Sequence, residues 1–228
     1  MKKFVLLSLI LILSAVLFTS VFADAEFTAT DQTMFIYDED DNGYFFARIE
    51  NTGDAGGYVG SGVLDILDEN NNVIVTKNYV STNPSSIWLE PGEYAYLDLY
   101  LWEKAFLETP VADYNFTIPA GKWGDEYDQI PCEGDFYFDP DDKYDNAVFV
   151  TFTNLSDELL HDFETVVALY DADGYLIYSE SDTNYDISVH PGSTITVKID
   201  ISSTLVEYMG NHEITPASVE ALVYVEND

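Results

Sequence analysis

Apolar side chains occupy every second position in several short runs along the chain. Two runs show this clearly, at Phe45, Ala47 and Ile49 and at Val148, Val150 and Phe152. Alternation with a period of two places one set of side chains on the core face of a β-strand and the other set toward solvent. Turns rich in Asp, Asn and Gly follow residues 63–67 and 166–170, and Pro-Gly pairs precede residues 93–101 and 193–201. The pattern predicts β-strands joined by tight turns.

Each half of the chain contains about seven predicted strands within about 100 residues, which is typical of a two-sheet immunoglobulin-like sandwich. Helical character is confined to residues 101–107 and 204–209. An α/β fold needs long amphipathic helices between its strands, and the pattern contains none. We therefore expect an all-β chain made of two tandem immunoglobulin-like antiparallel β-sandwich domains.

The two halves are similar to each other in sequence. A shift of 103 positions places residues 42–76 on residues 145–179 without a gap, and it matches Asn51 with Asn154. After a loss of three residues, a shift of 100 positions places the two Pro-Gly pairs on each other. Ordered matches along a whole unit favour a duplication. Residues 119–131, which contain glycine, proline and several acids, are the predicted linker.

Residues 1–23 have the three parts of a secretory signal: two lysines, an apolar run, and the small residues Val21 and Ala23 before the cleavage point. The apolar run is shorter than the ~20 residues that cross a bilayer. We expect a secreted or cell-surface protein whose mature chain does not insert into a membrane. The predicted domains are then residues 24–122 for the first sandwich and residues 123–228 for the second.

The second half carries a short motif. Residues 163–171 read FETVVALYD, and an Asp-Gly turn, an aliphatic strand and a Pro-Gly turn follow. Over residues 136–201 this segment resembles the FxLYD family, small immunoglobulin-like modules found on bacterial secreted and surface proteins. Leu169, Tyr170 and Asp171 match the family motif, whereas Val167 departs from its first aromatic position. The resemblance implies a fold and an extracellular location, and it carries over no catalytic or binding residues.

The chain is strongly acidic, with 42 Asp plus Glu, 8 Lys plus Arg and a formal charge of −34. Such a surface repels the phosphates of nucleic acids and anionic membranes, and it attracts cations and basic partners. The aromatic share of 15% is too high for a disordered chain. Solubility, or an environment of high ionic strength, is the simpler explanation of the charge.

One acidic segment has the opening spacing of a calcium loop. Asp38, Asp40 and Asn42 supply oxygen donors at positions 1, 3 and 5, and Gly43 follows at position 6. Position 12 is Ile49 instead of the usual bidentate glutamate. A surface hairpin rich in acids is the simpler interpretation, so we expect no cofactor, with weak calcium binding as the alternative.

Trp88 and Trp102 are candidates for a carbohydrate-binding platform, because aromatic faces stack on the apolar faces of sugar rings. The aligned positions in the second half are Ser188 and Ser202, so neither tryptophan is part of the repeated pattern. A tryptophan near a strand end is more often part of the core. Both interpretations stay open at this point.

The sequence contains no recognisable catalytic constellation. His161, His190 and His212 do not share the spacing of a metal pair, and a glycine-flanked nucleophilic serine and a phosphate-binding glycine loop are both missing. Cys132 is the single cysteine, so an intramolecular disulfide is excluded. We expect no enzymatic activity. The expected function is structural or adhesive contact with an extracellular protein or a cell-envelope component, and small-ligand binding is the alternative.

Overall fold

The computed structural model describes residues 24–37, 41–142 and 144–226. In these residues it contains fifteen strands and two short helices, and the strands form several antiparallel sheets. The all-β, sandwich-like fold that the alternating pattern predicts is therefore confirmed. The predicted secretory signal, residues 1–23, lies outside the described residues. None of the helices within the described ranges is long and apolar enough to cross a membrane.

The first half of the chain forms two three-stranded sheets and a short two-stranded pair. The elements are β1 (Phe27–Ile36), β2 (Asn42–Asn51), β3 (Gly57–Tyr58), β4 (Gly62–Leu67), β5 (Val73–Val80), β6 (Trp88–Leu89), β7 (Tyr94–Trp102), α1 (Ala105–Glu108) and β8 (Asp113–Thr117). Sheet β1-β2-β7 faces sheet β5-β4-β8, and β3 pairs with β6. The ring centroid of Phe45 lies 5.3 Å from that of Tyr114 and 5.2 Å from that of Phe116, so Phe45 packs between the two larger sheets.

The second half forms one sheet of three strands and one of four. The elements are β9 (Tyr127–Ile130), β10 (Cys132–Tyr137), β11 (Ala147–Thr153), β12 (Phe163–Tyr170), β13 (Leu176–Asn184), β14 (Thr194–Asp200), α2 (Ser203–Asn211) and β15 (Ser218–Glu226). The strand orders of the two sheets are β10-β11-β14 and β13-β12-β15-β9. The rings of Phe152 and Phe163 meet edge to face at 5.0 Å between these sheets.

The two halves have the same strand order. Sheet β1-β2-β7 corresponds to β10-β11-β14, and β5-β4-β8 corresponds to β13-β12-β15, with β9 added at one edge. The Pro-Gly turns correspond as well, because Gly92 and Gly192 have φ angles of 84° and 75°. Glycine suits this left-handed region, since it has no Cβ to clash with the backbone. Within the described ranges, each sheet takes its strands from one half of the chain only.

The two halves pack against each other through their sheets. In β2, the neighbouring side chains of Phe45 and Phe46 are both fully buried. Consecutive side chains of a strand point to opposite faces, so β2 is covered on both sides. Phe45 faces strand β8 of its own half, whereas the ring centroid of Phe46 lies 5.9 Å from that of Tyr178 in β13 of the other half. The prediction that the second set of side chains faces solvent is therefore wrong for Phe46.

Strand β12 is covered on both sides in the same way, because all four residues from Val166 to Leu169 are fully buried. The ring of Tyr208 in α2 adds contacts at 5.0 Å to Phe35 and 5.2 Å to Tyr37. Buried apolar side chains of both halves consequently form one continuous cluster.

The predicted linker, residues 119–131, is bound to both halves. The Gly60 amide donates to the Pro119 carbonyl at 2.8 Å, and the Gly121 amide donates to the Tyr58 carbonyl at 2.7 Å. A parallel bridge joins Ile87 to Asp125, after which β9 pairs with β15. The linker is therefore held by backbone hydrogen bonds to both halves and is not a flexible connection.

Candidate functional site

The structure places Trp88 and Trp102 in different surroundings. Trp88 begins β6 and is half-buried, whereas Trp102 ends β7 with 67% of its surface exposed. The indole Nε1 of Trp102 donates to Asp41 Oδ2 at 2.7 Å. Tyr94, the first residue of β7, lines one cleft together with Trp88, and Trp102 lies eight positions further along the strand. At ~3.3 Å per residue this is about 26 Å, so the two tryptophans do not form one platform.

The proposed calcium loop lies mostly outside the described residues, because these do not include Asp38 and Asp40. Asn42 is the first residue of β2, and its Oδ1 accepts a hydrogen bond of 2.7 Å from the Tyr100 hydroxyl. Across the described ranges, no group of three or more His, Cys, Asp or Glu side chains is placed to hold a metal ion. Calcium binding at the loop stays a prediction.

A cleft of about 390 Å³ lies between the two halves. Residues around the turn from β6 to β7 form one wall, and residues of β9 and β15 form the other. Four aromatic rings line it: Trp88 and Tyr94 from the first half, Tyr127 and Tyr224 from the second. This arrangement brings Tyr224 next to Trp88 and Tyr94, from which it is separated by at least 130 positions in sequence.

Local packing fixes the orientation of Trp88. Its Nε1 donates to Glu90 Oε1 at 3.0 Å, and the ring of Tyr58 meets it edge to face at 4.9 Å. The indole also lies against the backbone of Gly56, where an added Cβ would come within 2.6 Å of the ring. Any other residue at position 56 would push Trp88 away, so this glycine helps to define the cleft wall.

The second wall is aromatic and lies in a negative electrostatic field. The rings of Tyr127 and Tyr224 meet at 6.2 Å with an interplanar angle of 74°. Burial, together with nearby acids of which Asp125 and Glu226 act most strongly, raises the pKa of Tyr127 to about 12. The pKa of Tyr224 is raised as well, chiefly by burial. Both hydroxyls remain neutral hydrogen-bonding groups at physiological pH.

The charged side chains that line the cleft are acidic. The exposed side chains of Glu93 and Asp128 line it, and none of the described residues that line it is a Lys, Arg or His. The guanidinium carbon of Arg48 lies 3.9 Å from the centroid of the Tyr94 ring. Arg48 also forms a 3.0 Å ion pair with Glu50, which offsets its charge.

A hydrogen-bonded cluster joins the halves beside the cleft. The hydroxyls of Tyr96 and Tyr170 lie 2.6 Å apart, and Tyr96 donates to Glu220. Tyr94 donates to the same Glu220 oxygen at 3.2 Å. Two tyrosines of β7 therefore bind a tyrosine of β12 and a glutamate of β15. This cluster sets the width of the cleft, because it holds β7 against the second half.

Three further carboxyls meet across the same contact between the halves. Burial raises the pKa of Asp98 in β7 to about 6. Burial and the nearby charge of Asp98 raise the pKa values of Glu164 in β12 and Glu180 in β13 to about 7. Asn83 Nδ2 donates to Asp98 Oδ1 at 2.5 Å and so supports this side chain. The contact therefore contains groups that titrate near neutral pH.

None of the three histidines lines the cleft, and neither does Cys132. Ser188 Oγ is 2.9 Å from His161 Nδ1 in an exposed contact, and the ring of His212 stacks on Tyr208 at 4.0 Å. Cys132, the first residue of β10, is half-buried, and its Sγ donates to the Ala221 carbonyl at 3.2 Å. Burial raises the pKa of this thiol, which disfavours the reactive thiolate.

Comparison with known proteins adds little to these observations. The chain matches no family model and no curated protein sequence. Among solved structures it is similar to red sea bream transglutaminase, over 88% of this chain and 29% of that chain, at 12% identity and a TM-score of 0.25. The chain thus spans less than a third of that protein's length, and so low a TM-score carries no argument about fold or function.

Proposed function

We propose that this protein is a non-catalytic, secreted two-module protein that binds another extracellular protein or a component of the cell envelope. Its modules would be immunoglobulin-like and related by duplication, as the matched sequence halves and their common strand order favour. The resemblance of residues 163–171 to the FxLYD motif supports the same assignment. Residues 1–23 would be removed on export.

The observation that carries this proposal is the packing of the two halves into one body with an acidic exterior. Phe46 and Tyr96 are fully buried at the contact, and Tyr170 forms a hydrogen bond with Tyr96 across it. The halves therefore present their outer loops and edge strands in a fixed arrangement. Fixed surfaces bind with a smaller entropic cost than tethered ones. A surface of net negative charge also accelerates encounters with basic partners.

A retention experiment with mature protein, residues 24–228, tests this proposal. The protein is immobilised and exposed to cell-surface extracts and culture medium of the native producer, and bound material is eluted with increasing salt. We expect basic proteins or envelope fragments to be retained and then released as salt rises, since salt screens exposed charges. Retention of nothing, or equal retention on heat-unfolded protein, would refute the proposal.

Carbohydrate binding is the second candidate function, because Trp88 lines a cleft together with three tyrosine rings. Aromatic faces of this kind stack on the apolar faces of sugars. A glycan array probed with the same protein tests it, and retention should be lost on replacing Trp88 but not on replacing the distant Trp102.

A further inference from the structure

We propose that the cleft between the two halves binds the ammonium or guanidinium group of a basic side chain on a partner protein. This inference rests on the proposed binding function and names the chemistry that the partner would present. The cleft unites aromatic rings with carboxylates, and both kinds of group attract an organic cation.

The cleft has the size and shape for a side chain. Its volume of about 390 Å³ is near the lower end of the ~300–1,000 Å³ that ligand pockets span. The buried side chains of Leu89 and Leu222 line it and offer an apolar surface. The aliphatic stem of a lysine or arginine is suited to such a surface while its charged head remains near the rim.

The aromatic walls suit a cation for an electrostatic reason. The face of a tryptophan or tyrosine ring is negative and attracts a cation within ~6 Å of its centroid. Trp88 and Tyr94 stand on one side of the cleft, and Tyr127 and Tyr224 stand on the other. The protein already makes one such contact, between Arg48 and Tyr94. A bound cation would be held by the same attraction.

Charge decides between the possible ligands. Glu93 and Asp128 line the cleft, and the raised pKa of Tyr127, which burial and then Asp125 and Glu226 cause, indicates that the field extends inside. An anionic ligand would be repelled by these groups. A neutral sugar gains only hydrogen bonds from its hydroxyls to these carboxylates, whereas a cation gains ion pairing with the carboxylates as well as attraction to the ring faces. The observations therefore favour a basic group over a saccharide.

Titration with capped amino acids tests the inference directly. Nα-acetyl-lysine amide and Nα-acetyl-arginine amide are added to the mature protein, and binding is followed by NMR chemical shifts of the tryptophan indole N–H groups. Nα-acetyl-norleucine amide, which keeps the aliphatic stem without the charge, is the matched control ligand. We expect saturable shifts of Trp88 with the two cations only, and weaker binding as salt increases.

Two sets of variants locate the site. Trp88→Leu should weaken lysine and arginine binding by about tenfold, since a cation–π contact is lost. The double variant Glu93→Gln/Asp128→Asn, which changes exposed side chains only, should weaken binding several-fold and reduce its salt dependence. Trp102→Leu is the matched control, because Trp102 is exposed and distant from the cleft, and it should leave binding unchanged. Isothermal titration calorimetry measures the affinities in every variant.

The inference is overturned if norleucine binds as tightly as lysine, or if no cleft resonance shifts with either cation. Salt-independent binding of neutral glucose oligomers at Trp88, without binding of the cations, would assign the cleft to saccharides instead. Retention of an extracellular partner by the Glu93→Gln/Asp128→Asn variant at full strength would leave the proposed function intact and refute this site. The two proposals therefore fail by different results.

Discussion

Asn51 and Asn154 make equivalent hydrogen bonds in the two halves of the chain. Each Oδ1 accepts the backbone N–H of the residue two positions later, at 3.0 Å in both cases. Each Nδ2 donates to the carbonyl four positions later and to a carbonyl just before the Pro-Gly turn. These carbonyls belong to Ala55 and Leu89 in the first half and to Glu158 and Val189 in the second, at 2.8–2.9 Å.

We expect Asn51→Ala and Asn154→Ala each to lower the free energy of unfolding by about 3 kcal/mol, because they leave several buried backbone groups without partners. Urea denaturation followed by circular dichroism measures the change. Asn70→Ala is the matched control on an exposed turn, and it should shift stability by less than about 0.5 kcal/mol. Equal effects of all three variants would show that the buried amides have no special role.

Glu220→Ala tests the contact between the halves. It removes the carboxylate acceptor of Tyr94 and Tyr96 and should cost about 1–3 kcal/mol of unfolding free energy, since the buried Tyr96 hydroxyl loses its charged partner and keeps only Tyr170. Glu226→Ala, at an exposed position of the same strand, is the control and should cost much less. Thermal unfolding measures both variants. No difference between them would mean that the cluster does not hold the halves together.

The stability of the protein should depend on pH through Asp98, Glu164 and Glu180. Their pKa values are about 6, 7 and 7, against ordinary values of 3.8 for Asp and 4.5 for Glu. Between these limits the folded chain holds more protons than the unfolded chain. The associated stability is therefore fully present below about pH 4 and is lost as the pH rises to about 7. Urea denaturation at several pH values measures this decrease.

The triple variant Asp98→Asn/Glu164→Gln/Glu180→Gln should flatten the pH dependence and raise stability at neutral pH, because it removes charges that the contact must bury. A matched triple variant at exposed acids, Glu69→Gln/Glu126→Gln/Glu133→Gln, removes the same number of carboxyl groups and should keep most of the slope. If both triple variants flatten the slope alike, general charge repulsion explains it and the buried carboxyls do not.

Tyr178→Phe should leave stability unchanged or raise it by up to about 1 kcal/mol. The Tyr178 hydroxyl is buried and has no hydrogen-bond partner among the described residues. Burial, with Glu180 and Asp98 nearby, raises its pKa, so it stays protonated. Tyr178→Ala should instead cost about 3–5 kcal/mol, since it removes the ring that packs on Phe46. Thermal unfolding of the two variants checks this contrast.

Much of the fold is predictable from local pattern. Alternation places strands at β2 and β11, and the shift of 103 positions predicts that both halves repeat the same strands. The contact between the halves is harder to predict, because Phe45 and Phe46 are the same residue type and only one of them faces its own sandwich. One available signal was the unbroken apolar run from Val166 to Leu169, which is typical of a strand buried on both faces.

The candidate site was predicted only in part. Trp88 stood out because the second half has no aromatic residue at its position, and it does line the cleft. Tyr94, Tyr127 and Tyr224 gave no signal, since their proximity depends on how the halves dock and not on spacing along the chain. Trp102 carried the same signal as Trp88 yet lies at the other end of β7. Sequence patterns of this kind identify unusual residues, but they do not reveal which of them meet.

The hydrogen-bonded linker at residues 119–131 has a mechanical consequence. When sandwich modules are joined by a flexible linker, a pulling force straightens the linker first and then unfolds each module independently. Here the connecting strip is hydrogen-bonded to Tyr58 and Gly60 on one side and continues into β9 on the other. Separation of the two halves under load therefore requires this segment to break its hydrogen bonds to Tyr58 and Gly60, in addition to the parting of the two packed sheets.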